Sequence, residues 1–329
     1  MSLSPNPSHS LSLSEAEALF ARMLDGEMAE DEIRDVLVQL ADRGETAQEI
    51  AGAARAMRDR MTRISAPDDA MDVCGTGGDG QHSLNISTAT SLVVAACGVP
   101  VAKHGNRAAS SKAGAADTLE ALGLDLQRAG TLAEETLPDL GITFLFAQAH
   151  HPALGRIAPI RRELGRRTIF NLLGPLANPA GITRQLVGIA SPDLVETYRD
   201  AMKLLGITRA LIVSGEEGLD EISIAGPTRI ATIGIDGLGT SVTPEDAGLP
   251  RHSLDAIRGG DPAYNAAALI RLLDGERSAY RDAVLLNAAG ALIVAGEVNG
   301  WSEGVEEAAE AIDKGLASAL LDCWIATTK

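Results

Sequence analysis

The amino-acid sequence predicts an α/β protein, with a small all-helical domain followed by a larger α/β domain whose mostly parallel sheet is flanked by helices. Residues 12–66 have the apolar spacing of short helices, whereas from residue 67 onward short apolar runs alternate with helical segments. Residues 1–11 are rich in Ser and Pro and predict a disordered tail. The chain is therefore divided into a tail, a helical domain over 12–66 and an α/β domain over 67–329.

Start and stop signals divide the helical domain into three helices. Ser14 with Glu17 matches the capping-box pattern, and Gly26 stands where the first helix should end. Thr46 with Glu49 matches the same pattern at the start of the third helix. Three short amphipathic helices can bury their apolar faces against one another, which predicts a small helical domain.

The α/β domain shows short strand-like runs separated by helices. Strands are predicted at Met71–Cys74, Val99–Ala102, Ile142–Ala147 and Ala210–Ser214, with two further short strands at Ile222–Ile224 and Arg229–Ile233. Helices are predicted at Ser87–Cys97, at Ser191–Gly206 and within Pro262–Leu320. Because strands alternate with helices, the sheet is expected to carry helices on both faces.

Charge and cysteine content exclude several classes of protein. The 329-residue chain has a formal net charge of −17, which repels nucleic acid and anionic membranes at long range. Its three cysteines, Cys74, Cys97 and Cys323, have no metal-ligand spacing, and an odd number argues against a disulfide framework. The first residues do not match a signal peptide, and the longest apolar stretch is too short for a bilayer. We expect a cytoplasmic protein that binds neither nucleic acid nor membrane.

A glycine-rich segment, Gly75-Thr-Gly-Gly-Asp-Gly80, follows the first strand and permits three interpretations. It matches the G-x-G-x-x-G pattern of dinucleotide sites, but the next strand ends in Lys103-His104 rather than in an acidic residue. It could also be a plain structural turn. Alternatively, its backbone N–H groups, together with a helix N-terminus, could hold a phosphate.

The neighbouring segments favour a polyphosphate site. Asn85-Ile-Ser-Thr88 places an amide and two hydroxyls at a helix start, and Lys103-His-Gly-Asn-Arg107 places cations after the next strand. Open α/β sheets bind ligands at the carboxyl ends of neighbouring strands, where both segments are expected. With Lys112, these residues form a cationic cluster in an acidic protein, although a solvated basic loop is the alternative.

Two adjacent acids, Asp220 and Glu221, follow the strand predicted at Ala210–Ser214. In a regular strand they would point to opposite faces, but in a loop both can converge on one cation. Mg²⁺ prefers oxygen ligands and shares them with substrate phosphates. Two exposed acids in a surface turn are the alternative.

Together these motifs resemble those of the anthranilate phosphoribosyltransferase family. The matching segments, in family order, are Gly75–Asp79, Asn85–Thr88, Lys103–Arg107, Arg167–Leu176 and Gly218–Glu221. The resemblance implies a fold related to the nucleoside phosphorylases, with a helical segment near 160–185 returning to the N-terminal helical domain. It also implies a homodimer joined through the helical domains. The activity implied is transfer of a phosphoribosyl group from phosphoribosyl pyrophosphate to anthranilate, a step of tryptophan biosynthesis.

The resemblance also implies roles for individual residues. Phosphoribosyl pyrophosphate would be bound by Gly75, Gly78, Asp79, Ser83, Asn85, Ile86, Ser87, Thr88, Lys103, His104, Gly105, Asn106, Arg107, Ser110, Ser111 and Ala115. Anthranilate would be bound by Gly75, His104, Asn106 and Arg161. Two Mg²⁺ ions would be held by Ser87, Asp220 and Glu221. Lys103, Asp79 and Arg161 would act in catalysis.

Three departures from the family pattern concern substrate affinity. Ala115 stands where a serine is common, His82-Ser-Leu84 replaces a more usual Asn-Thr-Phe, and Ala147–Pro152 lacks the common form of the segment before His151. The chemistry requires no covalent nucleophile, so Cys74 is expected to be a buried strand residue. The alternative functions are a pyrimidine nucleoside phosphorylase, a dinucleotide oxidoreductase, and a non-catalytic or altered-acceptor paralogue of the same fold.

Overall fold

The computed structural model describes residues 7, 9–108 and 111–329. Its helices are α1 Leu13–Asp25, α2 Glu30–Arg43, α3 Ala47–Arg58, α4 Ile86–Ala96, α5 Ala115–Ala121, α6 Leu126–Thr131, α7 Ala133–Leu140, α8 Ala147–His150, α9 Ile157–Leu164, α10 Phe170–Leu173, α11 Val195–Leu204, α12 Pro262–Leu273, α13 Ala279–Ala295, α14 Trp301–Asp313 and α15 Leu316–Thr327. Its strands are β1 Met71–Gly75, β2 Val101–Gly105, β3 Ile142–Phe146, β4 Arg184–Gly188, β5 Arg209–Gly215, β6 Thr228–Ile233 and β7 Ser241–Val242. Within these residues, no helix combines the length and apolar character needed to cross a bilayer.

The N-terminal helices form as predicted, with one correction at the first cap. Helix α1 is capped by Ser12, whose side chain accepts from the N–H of Glu15, so the predicted pair two residues later was wrong. The capping box of Thr46 and Glu49 at α3 is confirmed. Leu11, which the sequence placed in a disordered tail, is buried, and its N–H donates to Glu49 Oε1 over 2.9 Å. The packed chain therefore begins before the first helix.

The helical domain is completed by segments from the middle of the chain. Phe170 of α10 packs edge-on against Phe20 of α1, with 5.8 Å between ring centroids. Arg58 at the end of α3 donates from Nε to the backbone O of Leu176 over 2.6 Å. A returning helical segment was predicted over 160–185, but β4 already begins at Arg184. The last two residues of that range belong to the sheet.

The larger part of the chain is built on a seven-stranded sheet with strand order β3-β2-β1-β4-β5-β6-β7. In this spatial order, the five strands from β3 through β2, β1 and β4 to β5 pair in parallel. β6 pairs antiparallel with both β5 and β7. The sequence did not predict β4, and Ile222–Ile224, predicted as a strand, is not one. The strand predicted at Arg229–Ile233 is confirmed as part of β6, which pairs antiparallel with β5.

The two faces of the sheet are covered by different layers. On β1, Val73 packs into a core shared with α4, α13 and α14, whereas its neighbour Cys74 packs with α1, α3 and α11. This alternation follows from the two-residue period of a strand. Cys74 is a buried, free thiol, as expected. The order of the parallel strands reverses between β1 and β4, and ligands of open α/β sheets bind at the carboxyl ends beside such a reversal.

Candidate active site

The glycine loop leaves the carboxyl end of β1 in a conformation that requires glycine. Gly77, Gly78 and Gly80 have φ of +70°, +78° and +71°, a region that other residues rarely adopt. The N–H of Thr76 donates to the backbone O of Gly188 over 2.9 Å, which ties the loop to the end of β4. Helix α4 begins only at Ile86, so this is not the tight strand-to-helix turn of a dinucleotide site.

The acidic turn after β5 lies against this loop. Oδ2 of Asp220 accepts from the N–H of Gly77 over 2.6 Å. A methyl group at Gly75 would overlap the Asp220 carboxylate, and one at Gly188 would overlap the Asp220 backbone O. The absence of side chains at the ends of β1 and β4 therefore lets the acidic turn reach the glycine loop.

Glu221 reaches the start of α4, where its Oε1 accepts from the N–H of Ser87 over 3.1 Å. Loss of water and the neighbouring Asp79 carboxylate raise the pKa of Asp220 to about 7. Loss of water and the negative charge of Asp220 raise the pKa of Glu221 to about 8. The Asp79 Oδ2 atom is also buried and without a hydrogen-bond partner. The alternative of two acids in an exposed turn is wrong for these residues.

This group of carboxylates fits a divalent cation. Asp79, Asp220 and Glu221 lie close together, with Glu221 buried and the other two half-buried. The raised pKa values of Asp220 and Glu221 show how unfavourable their negative charges are without compensation. Carboxylate and hydroxyl oxygens are the ligands Mg²⁺ prefers, and it usually keeps ligand positions for water or phosphate. No group of three His, Cys, Asp or Glu in the described ranges encloses a metal by itself. A cation here would need further oxygen ligands.

Lys103 lies beneath the start of α4 rather than in a solvated loop. Its side chain is buried, and Nζ donates to the backbone O of Val73 over 2.8 Å and to Ser87 Oγ over 3.2 Å. Its positive charge lowers the pKa of Glu221 against the effect of burial. Lys103 therefore connects β1, β2 and the α4 N-terminus at the point where the predicted phosphate-binding segments meet.

The other predicted residues of the α4 start differ in what they expose. The side chain of Ile86 is buried, so a ligand could contact that residue only through its backbone. Thr88 is buried, and its Oγ1 has no hydrogen-bond partner. Ser83 forms an isolated antiparallel bridge with Arg258. Asn85 is held by several neighbouring elements through its side chain.

The segment after β2 is only partly described, and Ser110 lies outside the described residues. Arg107 forms ion pairs with Asp117 at 2.9 Å and Glu120 at 2.5 Å. Its guanidinium lies 5.5 Å from the centroid of the Phe146 ring. The predicted cationic cluster is therefore neutralised at this residue by α5.

The remaining predicted residues of this segment border the same edge. Ser111 Oγ donates to the backbone O of Ala113 over 3.4 Å, and Asn106 Oδ1 accepts from Gln148 Nε2 over 3.4 Å. A side chain at Gly105 would overlap the Phe144 ring and approach the Ala115 methyl group. The structure thus places a methyl group at the position where the sequence departs from the family serine.

Two histidines form an uncharged pair on the helical-domain side of the site. Burial lowers the pKa of His104 to about 3 and that of His151 to about 4. Their ring centroids are 5.2 Å apart. Nδ1 of His104 lies 3.0 Å from the backbone O of Gly174, and neither Nε2 has a hydrogen-bond partner. Neither ring therefore adds positive charge to this side of the site.

Arg161 of α9 faces the glycine loop across Asn171. Its Nη2 donates to Asn171 Oδ1 over 3.4 Å, and its guanidinium lies 5.6 Å from the Phe170 ring centroid. A side chain at Gly78 would come into contact with Asn171 Nδ2. Asn171 lies in the Arg167–Leu176 segment, but the sequence pattern assigned it no role. Only the tertiary structure shows that Asn171 lies between the Arg161 guanidinium and the glycine loop.

Comparison with known proteins agrees with this architecture. Two family models match the chain: "Glycosyl transferase family, helical bundle domain" over residues 6–61 and "Glycosyl transferase family, a/b domain" over residues 67–318. An anthranilate phosphoribosyltransferase of Novosphingobium aromaticivorans is 66% identical over 327 residues, covering 99% of each chain. One of Sphingopyxis alaskensis is 64% identical, covering 98% of this chain and 97% of the relative.

Solved structures give the same result. The anthranilate phosphoribosyltransferase of Thermus thermophilus superposes with a TM-score of 0.91 at 43% identity, covering 98% of this chain and 97% of that one. The enzyme of Saccharomyces cerevisiae in complex with phosphoribosyl pyrophosphate and Mg superposes with a TM-score of 0.88 at 28% identity, covering 97% and 93%. The sequence-based recognition is confirmed, and the chain belongs to the anthranilate phosphoribosyltransferase family.

Proposed function

We propose that this chain transfers the phosphoribosyl group of phosphoribosyl pyrophosphate to the amine of anthranilate and releases pyrophosphate. The observation that carries the proposal is the convergence of three segments at the carboxyl ends of β1, β2 and β5. The glycine loop, the α4 start with Lys103, and the acidic turn meet there through direct hydrogen bonds. Membership of the family supports the same reaction.

The donor side of the site suits departure of pyrophosphate. Breaking the bond between ribose C1 and pyrophosphate leaves negative charge on the leaving group, which backbone N–H groups and a buried ammonium can stabilise. Lys103 supplies the ammonium, and the glycine loop with the start of α4 supplies the N–H groups. Gly77 and Ser87 now donate to protein carboxylates, so these two N–H groups become available only if the acidic turn shifts.

Asp220 and Glu221, with Ser87, are the residues proposed to hold Mg²⁺. A bound Mg²⁺ would neutralise charge on the pyrophosphate and so favour its departure. Two ions are proposed, as the sequence resemblance implies. The yeast relative solved with phosphoribosyl pyrophosphate and Mg supports metal use. In this chain, the raised pKa values of both carboxyls support a site that gains from a cation.

The acceptor side is proposed to lie between the histidine pair and Arg161. A guanidinium suits a carboxylate, because it can donate two parallel hydrogen bonds. Arg161 is partly buried and lies across Asn171 from the glycine loop. The uncharged pair of His104 and His151 is proposed to border the same region, because His104 Nδ1 lies 3.0 Å from the backbone O of Gly174, three residues after Asn171. Holding the amine of anthranilate near ribose C1 can by itself lower the activation free energy by about 7–11 kcal/mol.

A homodimer joined through the helical domains is also proposed, and it rests on family membership. The test is the molar mass in solution by light scattering, where twice the chain mass of 34.2 kDa supports the proposal.

The proposed reaction is tested by mixing purified protein, Mg²⁺, phosphoribosyl pyrophosphate and anthranilate and following anthranilate fluorescence. Loss of fluorescence that requires both the donor and the metal supports the proposal. Donor binding without loss of anthranilate would mean that the acceptor is a different amine, and Gln148, which contacts Asn106, would be the first residue to examine.

A further inference from the structure

The buried amide of Asn265, on α12, joins the segment before α12 to the start of α4, although the two are far apart in the sequence. Its Nδ2 donates to Asn85 Oδ1 over 2.8 Å, and its Oδ1 accepts from the N–H of Gly260 over 2.8 Å. The side chain is 2% exposed, so both bonds form away from competing water. Asn265 therefore links the C-terminal helical region to the first residue of the predicted phosphate-binding stretch.

Asn85 is fixed from several sides. Its Oδ1 accepts a second hydrogen bond from Thr118 Oγ1 over 2.6 Å, and its Nδ2 donates to the backbone O of Ala113 over 3.3 Å. Its backbone O accepts from the hydroxyl of Tyr280 over 3.0 Å. Because Asn85 Oδ1 accepts both hydrogen bonds, the amide is oriented with Nδ2 toward Ala113. Asn265 thus helps to set the distance between the α4 start and the segment before α5.

Backbone hydrogen bonds join the same two segments, the one before α12 and the one before α4. The N–H of Leu84 donates to the backbone O of Ile257 over 2.8 Å, and the N–H of Gly259 donates to the backbone O of His82 over 2.8 Å. A side chain at Gly259 would overlap the backbone O of Ser83 and approach Asn265 Oδ1. A small cleft opens beside these two segments and is lined by residues that include Ser83, Ser111, Lys112 and Asn265.

We propose that Asn265 is a positioning residue for the phosphoribosyl donor, acting through the side chain of Asn85. The inference rests on the proposed function, because it deepens the account of the donor site. Asn265 does not itself contact the glycine loop or the acidic turn in the hydrogen-bond network described above. It holds the α4 start, with Ser87 and Thr88, in register with the segment that contains Ser111. Its loss should weaken donor binding and leave acceptor binding unchanged.

The test compares Asn265→Asp with the wild-type chain. An aspartate keeps an oxygen for the N–H of Gly260 but loses the donor to Asn85, so it separates the two bonds. We expect the Kd for phosphoribosyl pyrophosphate with Mg²⁺, measured by calorimetry, to rise at least tenfold. The KM for anthranilate should change less than twofold. Ile270→Ala, at an exposed position on the same helix, is the control and should change neither value.

A double-mutant cycle distinguishes positioning from general loss of structure. In an Asn85→Ala background, Asn265→Asp should raise the donor Kd by no more than a further twofold, because its effect acts through Asn85. Independent effects that multiply, or equal losses for both substrates, would overturn the proposal. If Asn265→Asp does not fold, Asn265→Ser, which also removes the reach to Asn85, replaces it.

The calorimetric arm separates this proposal from the proposed function. A wild-type chain that binds the donor but does not consume anthranilate would contradict the acceptor assignment, and the Asn265 variants would still be judged by donor Kd. An unchanged donor Kd in Asn265→Asp would overturn the positioning role even if the wild-type chain is fully active.

Discussion

The carboxylate of Asp220 accepts a hydrogen bond from the backbone N–H of Gly77, with 2.6 Å between Oδ2 and N. A residue proposed to bind metal therefore also occupies a donor of the loop proposed to bind phosphate. Glu221 does the same at the N–H of Ser87. The acidic turn thus holds two N–H groups that suit an anion, and its carboxylates must be reoriented or shared when the donor and Mg²⁺ bind.

Asp220→Asn should separate the structural contact from metal binding. An asparagine oxygen can still accept from Gly77, but it carries no charge, so the Mg²⁺ concentration giving half-maximal rate should rise at least tenfold. The metal-free variant should unfold at the same temperature as wild type or higher, because the raised pKa of Asp220 shows that its charge is unfavourable there. Glu216→Gln, at an exposed position on the same connection, is the control. An unchanged Mg²⁺ titration in Asp220→Asn would contradict metal binding.

Arg161→Ala should raise the KM for anthranilate much more than the KM for phosphoribosyl pyrophosphate. A hydrogen bond to a charged group contributes about 1.5–3 kcal/mol. At about 1.4 kcal/mol per tenfold change, the expected rise is roughly 10- to 100-fold. Steady-state kinetics with each substrate varied in turn measure it, and Arg162→Ala, at an exposed neighbouring position, is the control. Equal changes for both substrates would refute the acceptor assignment of Arg161.

Gly188→Ala should displace the acidic turn, because its methyl group would overlap the backbone O of Asp220. Overpacking of this kind costs about 1–3 kcal/mol of unfolding free energy. Denaturant unfolding should show that loss, together with a weaker dependence of the rate on Mg²⁺. Gly226→Ala is the matched control, since no atom lies within 4 Å of its added methyl group. A stable Gly188→Ala chain with normal metal dependence would show that the turn is not held at this position.

The histidine pair predicts acid sensitivity of the fold. His104 and His151 have pKa values lowered from 6.5 to about 3 and about 4, so in the folded chain they stay uncharged where the unfolded chain binds protons. Their contribution is fully present above pH 6.5 and is lost as the pH falls toward the folded values. The expected slope is up to about 1.4 kcal/mol per pH unit for each histidine.

Urea unfolding of His104→Asn between pH 7 and pH 5 measures this effect. Asparagine can keep a donor for Gly174 without titrating, so the loss of stability with falling pH should be smaller than in wild type, whatever the stability at pH 7. His9→Gln changes an exposed histidine and should leave the slope unchanged. Parallel pH profiles for wild type and His104→Asn would show that this histidine does not cause the sensitivity.

The segments that meet at the carboxyl ends of β1, β2 and β5 could be selected from the sequence because glycine, hydroxyl and lysine patterns are local. It missed β4, where only Leu186 and Val187 form an apolar pair between polar residues and glycine. That strand exists because β1 and β5 pair with it on both sides. Pairing partners distant in the chain leave no local pattern.

Contacts between distant segments could not be predicted for the same reason. The link from Arg161 through Asn171 to Gly78 joins the helical domain to the glycine loop. The ion pairs of Arg107 with α5 were also unexpected, because Asp117 and Glu120 lie 10 and 13 residues further along the chain. Residue types identified the side chains that could bind a ligand. Only the fold showed which of them, such as Arg107, already form ion pairs or hydrogen bonds within the protein.

The most direct test of the central claim is the stoichiometry of the reaction, with pyrophosphate release and anthranilate consumption measured in the same sample. The account predicts one pyrophosphate released for each anthranilate consumed, only when Mg²⁺ and phosphoribosyl pyrophosphate are both present, with a product whose mass is that of anthranilate plus one phosphoribosyl group. Pyrophosphate release at the same rate without anthranilate, or no consumption of anthranilate at saturating donor, would contradict it.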